Sequence, residues 1–437
     1  MSLKKTAAIA AAVGALAAIS VPAMALENEF HGMYKLMGYQ TNFFNGVQTN
    51  VLKKDAPSGF MAEQRARIQY IAKANADLKL VTHFELDTHF GGRNGDTGSG
   101  IYTTKGDAGA LDADALTLET KSIYLDFNCP ITGTNVKAGL QPWADSYQNL
   151  FLMADMTGLA VSKAFGPVTG TVGWFRFDDK TAAGAVGQKN ADLGVLDAKF
   201  AINKDMKVGA SYYYVNDDAA KTTFLDMHMV GVNADLSFGP ANIKPFAAYQ
   251  FGDRTATTDV KAFMLGAVSK IKVGPGAINL SAIYLSGDDN GTTKEKSFTA
   301  VSNAQTYFNP ANMWLLVRSA QAINSSTSVL ANDNTVGGRG LMGVFAGYEG
   351  TAGKVFYNAN IGYAQAAEER GTEDGAIGTE INAQVGYKLF DNLSASAAVA
   401  YAVLGDGMTN VGAANRVGGA DNADDPYAVN LQLSYTF

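Results

Sequence analysis

Apolar and polar residues alternate along most of this chain, and the alternation is strictest in Tyr427–Phe437. The odd positions Tyr427, Val429, Leu431, Leu433, Tyr435 and Phe437 are apolar or aromatic, and the even ones, Ala428, Asn430, Gln432, Ser434 and Thr436, are small or polar. Period two describes a strand with one oily face and one wet face. Two earlier segments repeat the pattern. In one, Phe60, Ala62, Ala66, Ile68, Tyr70 and Ala72 oppose Glu63, Arg65, Arg67, Gln69 and Lys73. In the next, Leu78, Leu80, Phe84, Leu86 and Phe90 oppose Lys79, His83, Glu85, Asp87 and His89. So many charges on one strand face must line something wet, because an Arg or Lys facing lipid at mid-depth costs about 2–4 kcal/mol.

The connections between such segments predict a topology. From Leu26 onward, short turns alternate with long loops. Eight turns are clusters of Gly, Pro, Asn and Asp, among them Asn75–Asp77, Phe165–Pro167, Gly239–Ala241 and Gly274–Gly276. Such clusters suit chain reversal. Nine long connections lie between them, including Gly91–Ala115, Ala144–Thr157 and Gly287–Gly338. Eight turns and nine loops give eighteen strands, or sixteen if one hairpin is wrongly divided. Both termini fall on the short-turn side. The predicted fold is all-β: a single antiparallel up-and-down barrel over 26–437 whose closure leaves no unpaired edge.

The N-terminus adds an address. Lys4 and Lys5 precede an Ala-rich apolar stretch, and Ala23 and Ala25 form an A-x-A cleavage site, so residues 1–25 are expected to be a removed signal peptide. No later run reaches the ~20 apolar residues of a spanning helix. The composition has 47 Gly, 10 Pro and 17% charged residues, the last below the ~25% usual in soluble domains. Losing Lys4 and Lys5 takes the formal charge from −7 to −9 (−7 minus 2), which argues against nucleic acid as a partner. A single cysteine, Cys129, excludes an internal disulfide framework, and there is no C-x-x-C-H for haem attachment.

The closing strand ending in Phe437, with Tyr435 two residues before it, resembles the C-terminal signature of Gram-negative outer-membrane β-barrels. Together with the signal peptide and the turn pattern, it makes the chain similar to porins. That general look is like the porins of metal-reducing deltaproteobacteria and, more weakly, the eighteen-stranded alginate-export and substrate-specific channels. The resemblance implies an outer-membrane location with periplasmic termini, and recognition of Tyr435 and Phe437 by the barrel assembly machinery. It also implies contact with lipopolysaccharide and phospholipid, a possible homotrimer, and passive passage of small hydrophilic solutes or ions without a cofactor. A sheath around a c-type multihaem cytochrome is the rival from a structural class. A barrel enzyme is the rival from a catalytic one, but no G-x-S-x-G, H-E-x-x-H or P-loop is present.

Candidate functional residues follow from the faces. A hairpin turn centred on Ala76 pairs positions summing to 152: Glu63 with His89, Arg65 with Asp87, Arg67 with Glu85, Gln69 with His83. Lys73 then meets Lys79, an awkward pair. This row reads either as the transverse field of a pore or as mutual neutralisation holding two strands together. The run His83-x-Glu85-x-Asp87-x-His89 also offers metal-ligand types, but alternate residues stand about 6.8 Å apart along a strand, so only neighbours could share an ion. In the longest loop, Asn309–Ile323 reads as a short helix with Asn309 at the N-cap and Pro310 at N1. Trp314, Leu315 and Leu316 need burial there. That segment, with Arg318, is a candidate constriction or a cap over the rim. The loop Ala144–Thr157, with Tyr147, Phe151, Leu152 and Met153, is the other candidate to fold inward. The remaining loops are rich in Asp and Glu, including Asp112 and Asp114, and read as solvated surface able to bridge divalent ions.

Overall fold

The computed structural model describes residues 26–43, 52–91, 109, 118–179, 190–218, 225–255, 257–290, 293–302, 307–309, 311–317, 323, 328–330, 335–370, 374–409 and 423–437. The expected signal peptide, Pro310, Arg318, Asp112 and Asp114 lie outside the described residues.

Apart from one two-residue strand, the strands follow one another around a single closed sheet, each antiparallel to the last. In order they are β1 (Glu27–Thr41), β2 (Gly59–Asn75), β3 (Leu78–His89), β4 (Glu119–Asn128), β5 (Asn135–Ala144), β6 (Met153–Phe165), β7 (Val168–Asp179), β8 (Asn190–Ala201), β9 (Met206–Asp217) and β10 (Leu225–Phe238). Then come β11 (Ala241–Thr255), β12 (Thr258–Val273), β13 (Gly276–Leu285), β14 (Lys294–Glu295), β15 (Leu341–Ala352), β16 (Val355–Ala366), β17 (Ala376–Phe390), β18 (Leu393–Leu404) and β19 (Tyr427–Thr436). The two-residue β14 is an addition to the rim, lying parallel to Asp259–Val260 of β12, and β13 pairs directly with β15. Eighteen strands therefore form the wall, the number the turn pattern implies. The ring closes where β1 pairs with β19, from Met33 opposite Thr436 to Thr41 opposite Ala428.

The short turns lie at the end of the barrel that carries Glu27 and Thr436. Gly166, Gly239 and Gly274 take φ of 60°, 59° and 56°, each followed by Pro. Glycine at the first position supplies the positive φ that a two-residue II′ hairpin turn needs, and Pro fits the negative φ of the second. At the β2–β3 turn the loop is Ala76–Asp77, with an irregularity between Lys73 and Asn75. Above it the expected register holds, from Lys73↔Lys79 to Glu63↔His89.

The outer face is apolar around the ring: Ile68, Ile123, Val172, Leu196, Val232, Leu265, Val344, Ile381 and Leu431 are all exposed. The inner face changes along the barrel axis. Toward the short turns it is polar. Toward the long loops it is apolar in most strands, as with Phe175, Leu193, Val195, Tyr213, Val215, Met227, Met229 and Phe345. Strands such as β9 (Tyr212-Tyr213-Tyr214-Val215) therefore lose the period-two contrast in their upper halves. Both faces there meet apolar surroundings, because long loops fold into the barrel and bury the inner one.

The seam depends on Gly32. Its backbone exchanges hydrogen bonds with Phe437 in both directions, at 2.9 and 3.0 Å. A side chain at Gly32 would run into the Phe437 ring and the Arg67 carbonyl. Gly32→Val is expected to weaken closure by about 1–3 kcal/mol, read as a lower yield of the compact, heat-modifiable band when the barrel is refolded. An unchanged yield and melting temperature would show that the seam tolerates crowding.

Candidate functional site

Two loops make the interior. The first connects β5 to β6. Asp145, immediately after β5, accepts four backbone N–H bonds: Tyr147 (2.6 Å) and Asn149 (2.9 Å) on Oδ1, Phe151 (2.8 Å) and Leu152 (2.7 Å) on Oδ2. Burial pushes this carboxyl above its ordinary range, and the four donors offset only part of that rise. Gln148 and Asn149 take positive φ (62° and 61°), so the chain wraps around the carboxylate. Tyr147, Leu150, Phe151 and Leu152 are thereby set into the barrel, each no more than 1% exposed. Burial also raises the Tyr147 hydroxyl to about 12. Met153, grouped with them from sequence, is instead the first residue of β6 and is exposed.

The second loop joins β13 to β15. Its stem is fastened by Arg370, whose guanidinium donates to the carbonyls of Asp288 (2.9 Å), Gly337 (3.2 Å) and Gly338 (3.0 Å). Further in, the buried Gln250 of β11 bonds both ends of Thr299's backbone, donating to its carbonyl (2.7 Å) and accepting from its N–H (2.9 Å). A third anchor is Glu380 of β17, 0% exposed. Its carboxylate accepts the N–H groups of Trp314 (2.7 Å), Leu315 (2.9 Å) and Leu316 (2.8 Å), and the Asn382 amide (2.8 Å). The loops also bond each other, Val301 N–H to the Phe151 carbonyl (3.2 Å) and Tyr307 N–H to the Asn149 carbonyl (3.1 Å). Together they form one plug.

The expected helix over Asn309–Ile323 does not form among its described residues. Residues 311–317 are irregular, with a turn at 311 and a bend over 314–317. An α-helix needs successive N–H groups to meet carbonyls four residues back, and here Glu380 takes three in a row. Asn309 does not cap a helix either: its amide brackets Met313, accepting its N–H and donating to its carbonyl, both at 2.7 Å. Trp314, Leu315 and Leu316 are buried as expected. Trp314 and Leu315, with Ile323, pack on Met37, Tyr39, Ala398, Ala400, Ala402 and Ala428. The small alanines of β18 and β19 make room for the indole. Leu316 and Val317 join the larger cluster around Phe345, Tyr213 and Phe151.

Below and beside the plug lies the charged row. Arg65 holds Asp87 in a fork, Nε to Oδ1 at 2.7 Å and Nη2 to Oδ2 at 2.5 Å, and stands 3.3 Å from Glu85. Arg67 bonds Glu85. Glu63 and His89 lie 2.8 Å apart and almost fully buried. Gln69 is opposite His83. The two lysines that looked awkward find partners on the flanking strands: Lys73 pairs with Glu29 of β1, and Lys79 lies 3.3 Å from Asp126 of β4. The His83–His89 run is thus divided among separate partners. No group of three or more metal-ligating side chains occurs among the described residues.

Several site residues escaped the sequence reading. Lys35 sits directly opposite Arg65, and Glu119 directly opposite Glu85, which extends the row across four strands. The alternation was there to find them: Lys35 stands between Tyr34 and Leu36. Glu380 carried the same signal, as the first of Glu380, Asn382 and Gln384 alternating with Ile381, Ala383 and Val385. Arg65 also donates to the Ile323 carbonyl (3.1 Å), so row and plug touch. Arg67 keeps 32% of its side chain accessible, so the space beneath the plug is open.

No family model matches the sequence, and no curated protein matches it significantly. Solved structures do match the fold. The outer-membrane protein OpdK of Pseudomonas aeruginosa aligns with a TM-score of 0.54 at 10% identity, over 94% of this chain and 98% of that one. OccK2 (OpdF) of the same organism, in complex with glucuronate, aligns with a TM-score of 0.53 at 10% identity, over 94% and 96%. OccAB4 of Acinetobacter baumannii aligns with a TM-score of 0.52 at 12% identity, over 94% and 98%. The fold of this chain is that of outer-membrane porins, a closed eighteen-strand antiparallel barrel.

Glu380→Ala would leave three buried N–H groups without their acceptor, at about 1–3 kcal/mol for each unsatisfied group. The β17 ladder does not involve that side chain, so the wall should persist while the plug loosens. Limited proteolysis of the folded variant should cut within 287–338 much faster than in the parent chain. Equal cleavage rates would mean that the Glu380 hydrogen bonds do not hold the plug.

Proposed function

We propose that the chain is an outer-membrane channel that passively conducts small hydrophilic solutes or ions through a lumen narrowed by its own loops. The observation carrying this reading is the inward row of Lys35, Arg65 and Arg67 facing Glu85, Asp87 and Glu119, partly accessible beside the plug. Cations on β1 and β2 next to carboxylates on β3 and β4 set a field across the path rather than along it. Such a field orients dipolar solutes and admits them without a covalent step. The apolar outer belt and the closed ring suit a bilayer, and the resemblance of the closing strand suits assembly through Tyr435 and Phe437.

The arrangement favours a channel over the two rival classes. A sheath for a haem protein needs a lumen clear enough for a second protein, and here two loops of the chain narrow it. An enzyme needs a nucleophile or base poised toward an open site. The buried His89 is instead engaged by Glu63, and His228 stacks among Tyr212, Tyr214 and Phe251. The cationic side of the row fits a carboxylate, the group that glucuronate presents in the OccK2 complex.

Single-channel recording of the refolded chain in a planar bilayer tests this. Discrete, stable conductance steps in KCl are expected. The double change Arg65→Ala, Arg67→Ala should move the reversal potential under a salt gradient toward cation preference. A correctly folded barrel that passes no current would sink the reading.

A further inference from the structure

A diagonal trough crosses the outer face of the wall from β6 to β11. Its floor is one row of directly opposed residues on successive strands: Lys163, Gly170, Ala198, Ala210, Val232 and Ala247. The row one same-face step toward the long loops is large throughout, with Val172, Leu196, Tyr212, Val230 and Tyr249. The row one step toward the short turns holds Phe165, Phe200 and Val208. Glycine and alanine between two rows of large side chains leave a concavity of about 960 Å³, with Val232 the one larger floor residue. Lys163 lies near the short-turn end of β6 (Met153–Phe165), whereas Ala247 is midway along β11 (Ala241–Thr255). The trough therefore climbs from the short-turn rim toward the middle of the wall.

The two ends of the trough differ in chemistry. At the rim, the Lys163 ammonium donates to the Thr132 carbonyl (2.6 Å) and stands 5.5 Å from the centre of the Phe165 ring. An ammonium has three protons to donate, so others remain for a ligand. The hydroxyls of Thr132 and Thr134 share one hydrogen bond (2.7 Å), which uses one of their two protons and leaves the other to donate. Thr134 itself lines the trough. Beyond Lys163 the floor carries only hydrocarbon. A cation and hydroxyls at the mouth of a hydrocarbon trough match an amphiphile with an anionic head. Strands about 4.8 Å apart place Ala247 about 24 Å from Lys163, and a tilt of about 40° turns that run into a rise of about 15 Å. That is half of a hydrocarbon core about 30 Å thick, so the trough spans the depth of one leaflet.

We propose that this trough binds one anionic glycerophospholipid, with the phosphate on Lys163 and the hydroxyls of Thr132 and Thr134, and an acyl chain laid over Gly170, Ala198 and Ala210. The site goes beyond the channel reading and stands whether or not the lumen conducts. The test is native mass spectrometry of the chain refolded in detergent and given dipalmitoyl phosphatidylglycerol. One lipid per barrel is expected to survive activation that strips the rest. Lys163→Gln should weaken that binding roughly fivefold, the worth of one lysine at an anionic headgroup layer. Ala198→Leu combined with Ala210→Leu fills the trough from the lipid side, leaves the lumen untouched and should abolish retention. Dihexanoyl phosphatidylglycerol, with the same head and short chains, should be lost, and inorganic phosphate should not displace the long-chain lipid. Equal retention in the parent chain and in either variant would overturn the proposal. So would retention of the short-chain lipid, displacement by phosphate alone, or a two-chain species in place of the lipid-bound one.

Discussion

A loop can lie inside a barrel only if its backbone N–H and C=O groups find partners there, because each one buried without a partner costs about 1–3 kcal/mol. That constraint organises this molecule. Eighteen strands enclose more space than wall side chains fill, and two long loops enter it. Among their described residues neither brings a helix or sheet of its own that would satisfy the backbone internally. The wall supplies partners instead, Glu380 meeting three consecutive N–H groups and Gln250 both ends of Thr299, while Arg370, in the connection between β16 and β17, meets three carbonyls. Asp145 does the same for the shorter loop from within the loop itself. Apolar packing then follows from this polar scaffold, since Trp314 and Phe151 reach their clusters only with the backbone so bent.

The choice of carboxylates for two of these anchors has a physical reason. A carboxylate oxygen accepts more than one hydrogen bond, and bonds to a charged acceptor are about twice as strong as neutral ones. One side chain can therefore hold three or four N–H groups whose dipoles converge. The converging donors in turn replace part of the solvation that the carboxyl group loses on burial. An amide at position 380 would present only one accepting oxygen to the same turn.

How much of this could be read from residue order depends on how local each cause is. Strand number, turn positions, the direction of the faces and the Arg65–Asp87 and Arg67–Glu85 pairing were legible, because period two and hairpin geometry act between residues close in sequence. Solved structures bear out the barrel. The conformation of Asn309–Ile323 was not legible. Its capping residues favour a helix, and what overrides them is Glu380, more than sixty residues away. The partners of Lys73 and Lys79 were missed for a related reason: a hairpin shows one neighbour, while each barrel strand has two. The upper halves of β9 and β12 hid the plug in plain view. Their inner positions, Tyr213, Val215, Val260 and Ala262, are too apolar to face water, so something had to cover them.

Arg65 ties these parts together. Its guanidinium is shared among Asp87, Glu85 and the Ile323 carbonyl, so the charged row is fixed at the plug as well as at the wall. The two readings of the row, a field for solutes and a brace between strands, then cease to compete. A field orients a passing molecule only if its charges hold still, and long side chains such as arginine hold still only when their forks are filled. The ion pairs that neutralise Arg65 at close range are what keep its position defined. Arg67, with one carboxylate partner and a third of its surface open, is left as the member of the row best placed to meet a solute. Brace and field are thus divided between neighbouring arginines on the same face of one strand.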